Sequence, residues 1–250
     1  MRTVAIIQAR MASTRLPGKV LRLLAGEPML AHVARRVAAC PRLDEVVVAT
    51  TNRPADDAVA AEAARVGVRP FRGSEDDVLD RYYHAAQDAD VVVRVTADCP
   101  LFDPVLLRAM LDRFVARRRD GLPVDYLSNT VVRTYPLGLD AEIFTFAALA
   151  RAHREAREPF EREHVTPYIY LHLDRFTVEH FVAEQDHSHL RWTVDTEEDF
   201  RFVEEVYRAL YRPGVIFPTE TVLALLRDRP HLAAINAHVP QRPLQGPVHG

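Results

Sequence analysis

Apolar residues in this chain fall into short uninterrupted runs, separated by stretches in which they recur every three or four positions. Thr3–Gln8 is apolar on both faces, as a strand covered by helices on each side must be. Met29, Leu30, Val33 and Val37 then repeat at helical spacing and predict a helix over 28–39, with Pro28 suited to its first turn and Pro41 ending it. The same reading gives a buried strand at 45–50, an Ala-rich helix at 54–66 and a short strand at 68–71. Ser74 has the layout of the next helix cap, with Asp77 three residues on. Residues 90–96 form the most apolar strand, which ends in Ala97-Asp98-Cys99-Pro100 and is followed by a helix over 104–118. Strands alternating with helices in this way predict right-handed βαβ units and an α/β fold with a mostly parallel sheet flanked by helices. In such sheets ligands bind beyond the carboxyl ends of the strands.

After Gly121 the pattern changes. Residues 125–129 and 131–134 look extended, and 134–142 is a polar, turn-rich excursion. Helices are predicted over 144–157 and 160–173, with Pro167 starting, kinking or breaking the second. Residues 176–183 and 190–194 read as strands, 197–210 as a helix and 219–227 as a short helix, with another from Pro230. The stretch 239–250, rich in proline and glycine, reads as a flexible tail. Residues 1–238 therefore form one domain, in which about 1–120 and 185–238 make the core and about 121–184 a smaller α+β insertion.

A formal charge of −3 argues against a dedicated nucleic-acid binder, which would be clearly basic. No run approaches the roughly 20 apolar residues that span a bilayer. Arg10 and Arg15 interrupt any signal-peptide layout at the N-terminus. Cys40 and Cys99 read as reduced core residues, so a cytoplasmic setting is expected.

The stretch with most chemistry follows the first strand: Gln8-Ala9-Arg10-Met11-Ala12-Ser13-Thr14-Arg15-Leu16-Pro17-Gly18-Lys19. Three cations, two hydroxyls and a Pro-Gly turn at a strand end suit a polyphosphate, and they equally suit a basic surface loop. Asp98, at another strand end, can hold Mg²⁺ or cap a helix. Asp195, with Glu198 three residues on, has the same two readings. Ser74-Glu75-Asp76-Asp77 is read as a solvated first helical turn rather than a metal site, and His164, His180, His187 and His189 show no ligand spacing.

The stretch 7–19 resembles the opening signature of the cytidylyltransferases that activate acidic sugars, the 3-deoxy-manno-octulosonate and acylneuraminate enzymes among them. The branch named for spore coat polysaccharide biosynthesis protein F is the nearer likeness. Further matching blocks begin at Arg72, Asp98, Thr134, Glu161 and Arg191, in the family's order. The resemblance implies a nucleotide-diphospho-sugar transferase type of Rossmann-like fold. It implies a nucleotide site of Ala9, Arg10, Met11, Ser13, Arg15 and Lys19, with Arg72, Gly73 and Ser74 recognising cytosine and ribose. Asp98 and Asp195 become Mg²⁺ ligands, Arg10, Lys19 and Asp98 the catalytic set, and Tyr135, Asp140, Glu142 and His164 the sugar site. The middle region is implied to serve a homodimer as well. Two departures matter: Ala97 stands where glycine is common, and Leu137 where a basic residue is common, which leaves an anionic sugar open.

The implied reaction is Mg²⁺-dependent transfer of CMP from CTP to an acidic or modified sugar of a surface polysaccharide, with release of pyrophosphate. Positioning and charge neutralisation would carry it, without a covalent nucleophile. Two alternatives remain at this point: a glycosyltransferase consuming a nucleotide sugar, and a non-catalytic nucleotide-sugar-binding subunit.

Overall fold

The computed structural model describes residues 1–241. Strand β1 (Thr3–Gln8) lies at the middle of a seven-stranded sheet and alternates its side chains between two apolar layers. Ala5 and Ile7 enter one core, Val4 and Ile6 the other, and all four are almost fully buried. Parallel to β1 run β4 (Glu45–Thr51) on one side and β6 (Val91–Thr96) on the other, with β5 (Arg69–Gly73) beyond β4. The sheet continues through β8 (Glu142–Thr145), β7 (Tyr126–Ser128) and β9 (Val178–His180), giving the order β5-β4-β1-β6-β8-β7-β9. Because β8 is antiparallel to both neighbours and β7 parallel to β9, six strands share one direction and β8 opposes them. A separate two-stranded ribbon pairs β2 (Leu23–Leu24) with β3 (Glu27–Pro28).

Helices α1 (Met29–Ala38), α2 (Asp57–Arg65) and α4 (Pro104–Arg119) cover the first face. Helices α3 (Val78–Ala85), α5 (Phe146–Glu155) and α7 (Pro167–Leu171) cover the second, with α6 (Pro159–His164) packed against α3 and α7. A third cluster joins the segment around Trp192 to α8 (Glu197–Leu210), α9 (Thr219–Asp228) and α10 (Pro230–Ala233). The mostly parallel α/β fold is the one the apolar pattern predicts. Cys40 and Cys99 are buried free thiols, and no described helix is long and apolar enough to cross a membrane.

Four local expectations are corrected. The predicted helix over 144–157 begins later, because residues 142–145 fill the antiparallel slot between β6 and β7, and the Thr145 hydroxyl then caps α5 by accepting from Ala148 N (3.0 Å). The predicted helix over 160–173 is broken at Val165, buried at φ +75°, where Thr166 N donates to His164 O (2.9 Å) in a strained γ-turn. Residues 131–134 and 190–194 are not strands; the second forms no ladder, only an isolated bridge between Leu137 and Arg191, and Val194 N donates to Asp98 O (2.8 Å). Asp77 rather than Ser74 caps α3, its Oδ1 accepting from Asp80 N (2.9 Å), while Ser74 Oγ accepts from Asp77 N (3.1 Å). The tail expected over 239–250 lies outside the described residues from 242 onward.

The segment carrying Asp195 is held close to the excursion at 134–142 by Gly138. A Cβ there would lie 2.5 Å from Thr193 N and 2.6 Å from Trp192 C, at a φ of +110°. Gly138→Ala is therefore expected to cost about 3 kcal/mol. Gly214→Ala, at φ +77° in open space, should cost only about 1 kcal/mol. Thermal unfolding of the two variants checks the difference; equal shifts would show that the close approach does not matter.

Candidate active site

The loop after β1 folds back on itself. Gly18 N donates to Met11 O (3.0 Å), Lys19 N to Leu16 O (3.2 Å), and Gly18 itself adopts φ +68°, a conformation that suits glycine. Met11 N donates to Asp56 Oδ1 (2.6 Å), which ties the loop to the turn after β4. The Met11 side chain packs on the first core, and Ser13 Oγ accepts from Leu16 N (3.3 Å). The result is one wall of a cleft of about 570 Å³, lined by Ala9, Arg10, Ser13, Thr14, Arg15 and Lys19 from the loop. Opposite stand Thr96, Ala97, Asp98 and Asp195.

A cation sits between the two carboxylates. Lys19 Nζ donates to Asp98 Oδ2 (2.9 Å), Asp195 Oδ1 (2.8 Å) and the Val194 carbonyl (2.7 Å). Arg15 pairs with Asp195 Oδ2 (2.9 Å), as does Arg191 (2.9 Å), and Arg191 Nε holds Asp199 (2.8 Å). Neither aspartate is needed as a helix cap. Asp103 caps α4, accepting from Val105 N (2.8 Å), and Thr196 with Asp199 forms the capping box of α8, which corrects the Asp195–Glu198 expectation. Burial works to raise the Asp98 pKa, but the Lys19 ammonium and the Thr96 hydroxyl (2.6 Å) outweigh it and hold the carboxyl at about 2. Burial likewise works to lower the Lys19 pKa, and the two aspartates overcome it and raise it. Lysine and carboxylate are thus both charged at neutral pH. Two carboxylates within reach of one point form an oxygen donor set that suits Mg²⁺.

Thr96 also lines a second cleft, of about 380 Å³, so the two are contiguous. Its walls include Asp140, Glu142 and His164 together with Arg94, Arg133, Thr130, Thr166 and Tyr170. Arg133 grips Asp140 with two parallel bonds (2.6 and 2.9 Å). Arg94 pairs with Glu142 across the β6–β8 ladder, and Glu142 also accepts from Tyr126 Oη (2.6 Å) and Thr166 Oγ1 (2.5 Å). The γ-turn at Val165 sets Thr166 against Glu142 and His164 against the cleft. Burial lowers the His164 pKa, leaving a neutral imidazole at pH 7.

Two expected groups lie elsewhere. Arg72 does not face the first cleft, because it is taken up by Thr51 O (3.0 Å), Arg53 O (2.9 Å) and Asp57 (2.5 Å); Gly73 and Ser74 instead pack against Arg81. Tyr135 stacks on Phe181 (centroids 6.2 Å apart) and faces the third core rather than the second cleft. Arg94 and Arg133 were not anticipated. Arg94 could have been found, as the sole charge inside the apolar run 91–96.

Replacing Lys19 with methionine should leave burial acting on Asp98 without its main opponent. Its titration midpoint should rise from about 2 to above about 4, the ordinary carboxylate value, as followed by carboxyl ¹³C NMR. In the unchanged protein, the stabilisation that goes with the depressed pKa is present above about pH 4 and disappears as the pH falls toward 2. An unmoved midpoint in the variant would show that Lys19 does not hold the carboxylate.

Comparison with known proteins matches this arrangement. The profile of the cytidylyltransferase family fits residues 4–213. The chain is 35% identical over 246 residues to an uncharacterised protein of Methanocaldococcus jannaschii, covering 97% of each. It is 36% identical over 238 residues to the spore coat polysaccharide biosynthesis protein SpsF of Bacillus subtilis, covering 91% of this chain and 95% of that one. The solved cytidylyltransferase of Leptospira borgpetersenii superposes with a TM-score of 0.88 at 32% identity, over 97% of this chain and all of the other. A nucleotidyltransferase by fold and by sequence, the chain belongs to the cytidylyltransferase family.

Proposed function

We propose that the protein transfers CMP from CTP to a sugar that enters a surface polysaccharide, releasing pyrophosphate and depending on Mg²⁺. The observation that carries this reading is the contiguity of the two clefts at Thr96, one rich in cations and carboxylates, the other in paired polar side chains. Membership of the cytidylyltransferase family and the likeness to a polysaccharide biosynthesis protein support the nucleotide and the acceptor class.

In the reaction an oxygen of the sugar forms a bond to the α-phosphorus of CTP, and the bond from that phosphorus to the bridging oxygen of pyrophosphate breaks. The backbone N–H groups and hydroxyls of residues 12–15 are donors for the phosphate oxygens, while Arg10 and Arg15 neutralise their charge. Mg²⁺ held by Asp98 and Asp195 would supply further neutralisation of the triphosphate and leaving group. Lys19 follows the charge: with its two carboxylates otherwise engaged, its ammonium is free for the phosphates that share the cleft. The second cleft orients the sugar. Its two arginines are each matched by a carboxylate, Arg94 by Glu142 and Arg133 by Asp140, so the pocket is not an open cationic trap. That balance, with Leu137 in the place of a common basic residue, favours a modified sugar rich in hydroxyl or amide groups over a strongly anionic one.

Pyrophosphate release, measured with each nucleoside triphosphate against a panel of sugars, should appear with CTP, require Mg²⁺ and fall at least about 100-fold in Asp98→Asn with the fold intact by circular dichroism. No release from any pair despite nucleotide binding, or near-normal turnover in Asp98→Asn, would overturn the proposal. Arg133→Met should raise the KM for the sugar about tenfold or more while leaving the KM for CTP near its starting value. A matching rise in both would remove the second cleft from sugar binding.

A further inference from the structure

Away from both clefts, helices α3 and α5 bring Asp80, His84 and His153 together on the outer face of the second layer. Asp80 and His84 are four residues apart and therefore project from the same side of α3. His84 Nε2 lies 3.4 Å and His153 Nε2 2.9 Å from the same oxygen, Asp80 Oδ1, and the three ligand atoms all fall within 4.8 Å of one another. Around a tetrahedral zinc ion with bonds of about 2.0–2.1 Å, neighbouring donor atoms are about 3.3 Å apart. The cluster already approximates one triangular face of that tetrahedron.

The surroundings prepare the ligands. Gln87 Nε2 donates to His84 Nδ1 (3.1 Å), which puts the proton of the neutral ring on Nε2; a half-turn of the Gln87 amide brings its oxygen to Nδ1–H instead and frees the Nε2 lone pair for an ion. The His153 ring is clamped by Tyr83, stacked at 4.2 Å and within 6° of parallel, and Tyr83 rests in turn on Phe146 (5.6 Å). Partial exposure of all three ligands, 35%, 47% and 25% in chain order, leaves room for a water as the fourth.

We infer that Asp80, His84 and His153 bind a divalent transition-metal ion of the zinc class. Two imidazole nitrogens and one carboxylate oxygen suit Zn²⁺ or Co²⁺ and are poorly matched to Mg²⁺, so this site is chemically distinct from the all-oxygen pair of Asp98 and Asp195. An ion here ties α3 to α5. Asp77 at the start of α3 also takes Arg162 of α6 (2.7 and 2.6 Å), and α6 ends in His164 at the second cleft. The ion would thus brace the frame on which that cleft is hung.

The test is titration of the chelator-stripped full chain with Co²⁺ in excess Mg²⁺, followed by Zn²⁺ displacement. The expected result is one equivalent of Co²⁺ with the intense visible absorption of a four-coordinate ion, displaced by Zn²⁺, and a Tm raised by about 5–10 °C at Zn²⁺ one hundred times its Kd. His84→Gln, at an exposed position, and His153→Ala should each weaken binding at least about tenfold, whereas His187→Ala should not change it. If His153→Ala proves unfolded, His84→Gln carries the test alone. Absence of a stoichiometric ion, binding unchanged in His84→Gln, or binding lost in His187→Ala would overturn the inference and leave a His153–Asp80 hydrogen bond and a looser His84–Asp80 contact in its place.

Discussion

One ammonium group joins the two halves of this chain. Lys19, from the loop after the first strand, reaches two carboxylates that are 79 and 176 residues away in sequence. Three acceptors at 2.7–2.9 Å satisfy its three protons, and the burial that makes such a group costly is offset only because both aspartates are ionised. The geometry of the first cleft depends on this triangle. It fixes the distance between the basic loop and the strand end that bears Asp98, and it brings in the 190s segment, which has no sheet ladder to hold it. That segment is located instead by Gly138, by the Arg191–Asp199 pair and by Asn236, whose amide donates to Arg191 O (2.9 Å).

Much of the fold was legible because its strands are buried on both faces. Thr3–Gln8, Glu45–Thr51 and Val91–Thr96 are continuous apolar runs, and helices with strong apolar stripes alternate with them, so period and length were sufficient. The stretch around residues 121–184 was harder for a physical reason. In β8 only four residues form the strand, its first is a glutamate, and it leads without a break into a helix capped by its own last residue. Local pattern cannot separate such a strand from the helix that follows; the pairing of Glu142 with Arg94 decides it, and that contact is 48 residues distant.

The site was legible in unequal parts. Loop residues 9–19 and Asp98 meet at one cleft because they stand at strand ends, where backbone direction alone brings them to a common edge. Asp195, read from the sequence as either a metal ligand or a helix cap, is joined to them in space, and the cap is supplied by Thr196 and Asp199. Arg72 and Tyr135 lie outside the two clefts because each has a nearer partner, a turn of carbonyls for one and an aromatic ring for the other. Arg133 was missed because it sits in an irregular stretch without periodicity, where only the three-dimensional pairing with Asp140 reveals it.

The proposed reaction requires that the Lys19 triangle mark the place where a triphosphate and its cation bind. A crystal structure of the protein with CTP and Mg²⁺ tests it most directly. The expected result is the triphosphate along residues 10–15, the ion on Asp98 and Asp195, and the Lys19 ammonium moved from at least one carboxylate onto phosphate. A nucleotide bound elsewhere, with the Lys19–Asp98–Asp195 triangle unchanged, would contradict it.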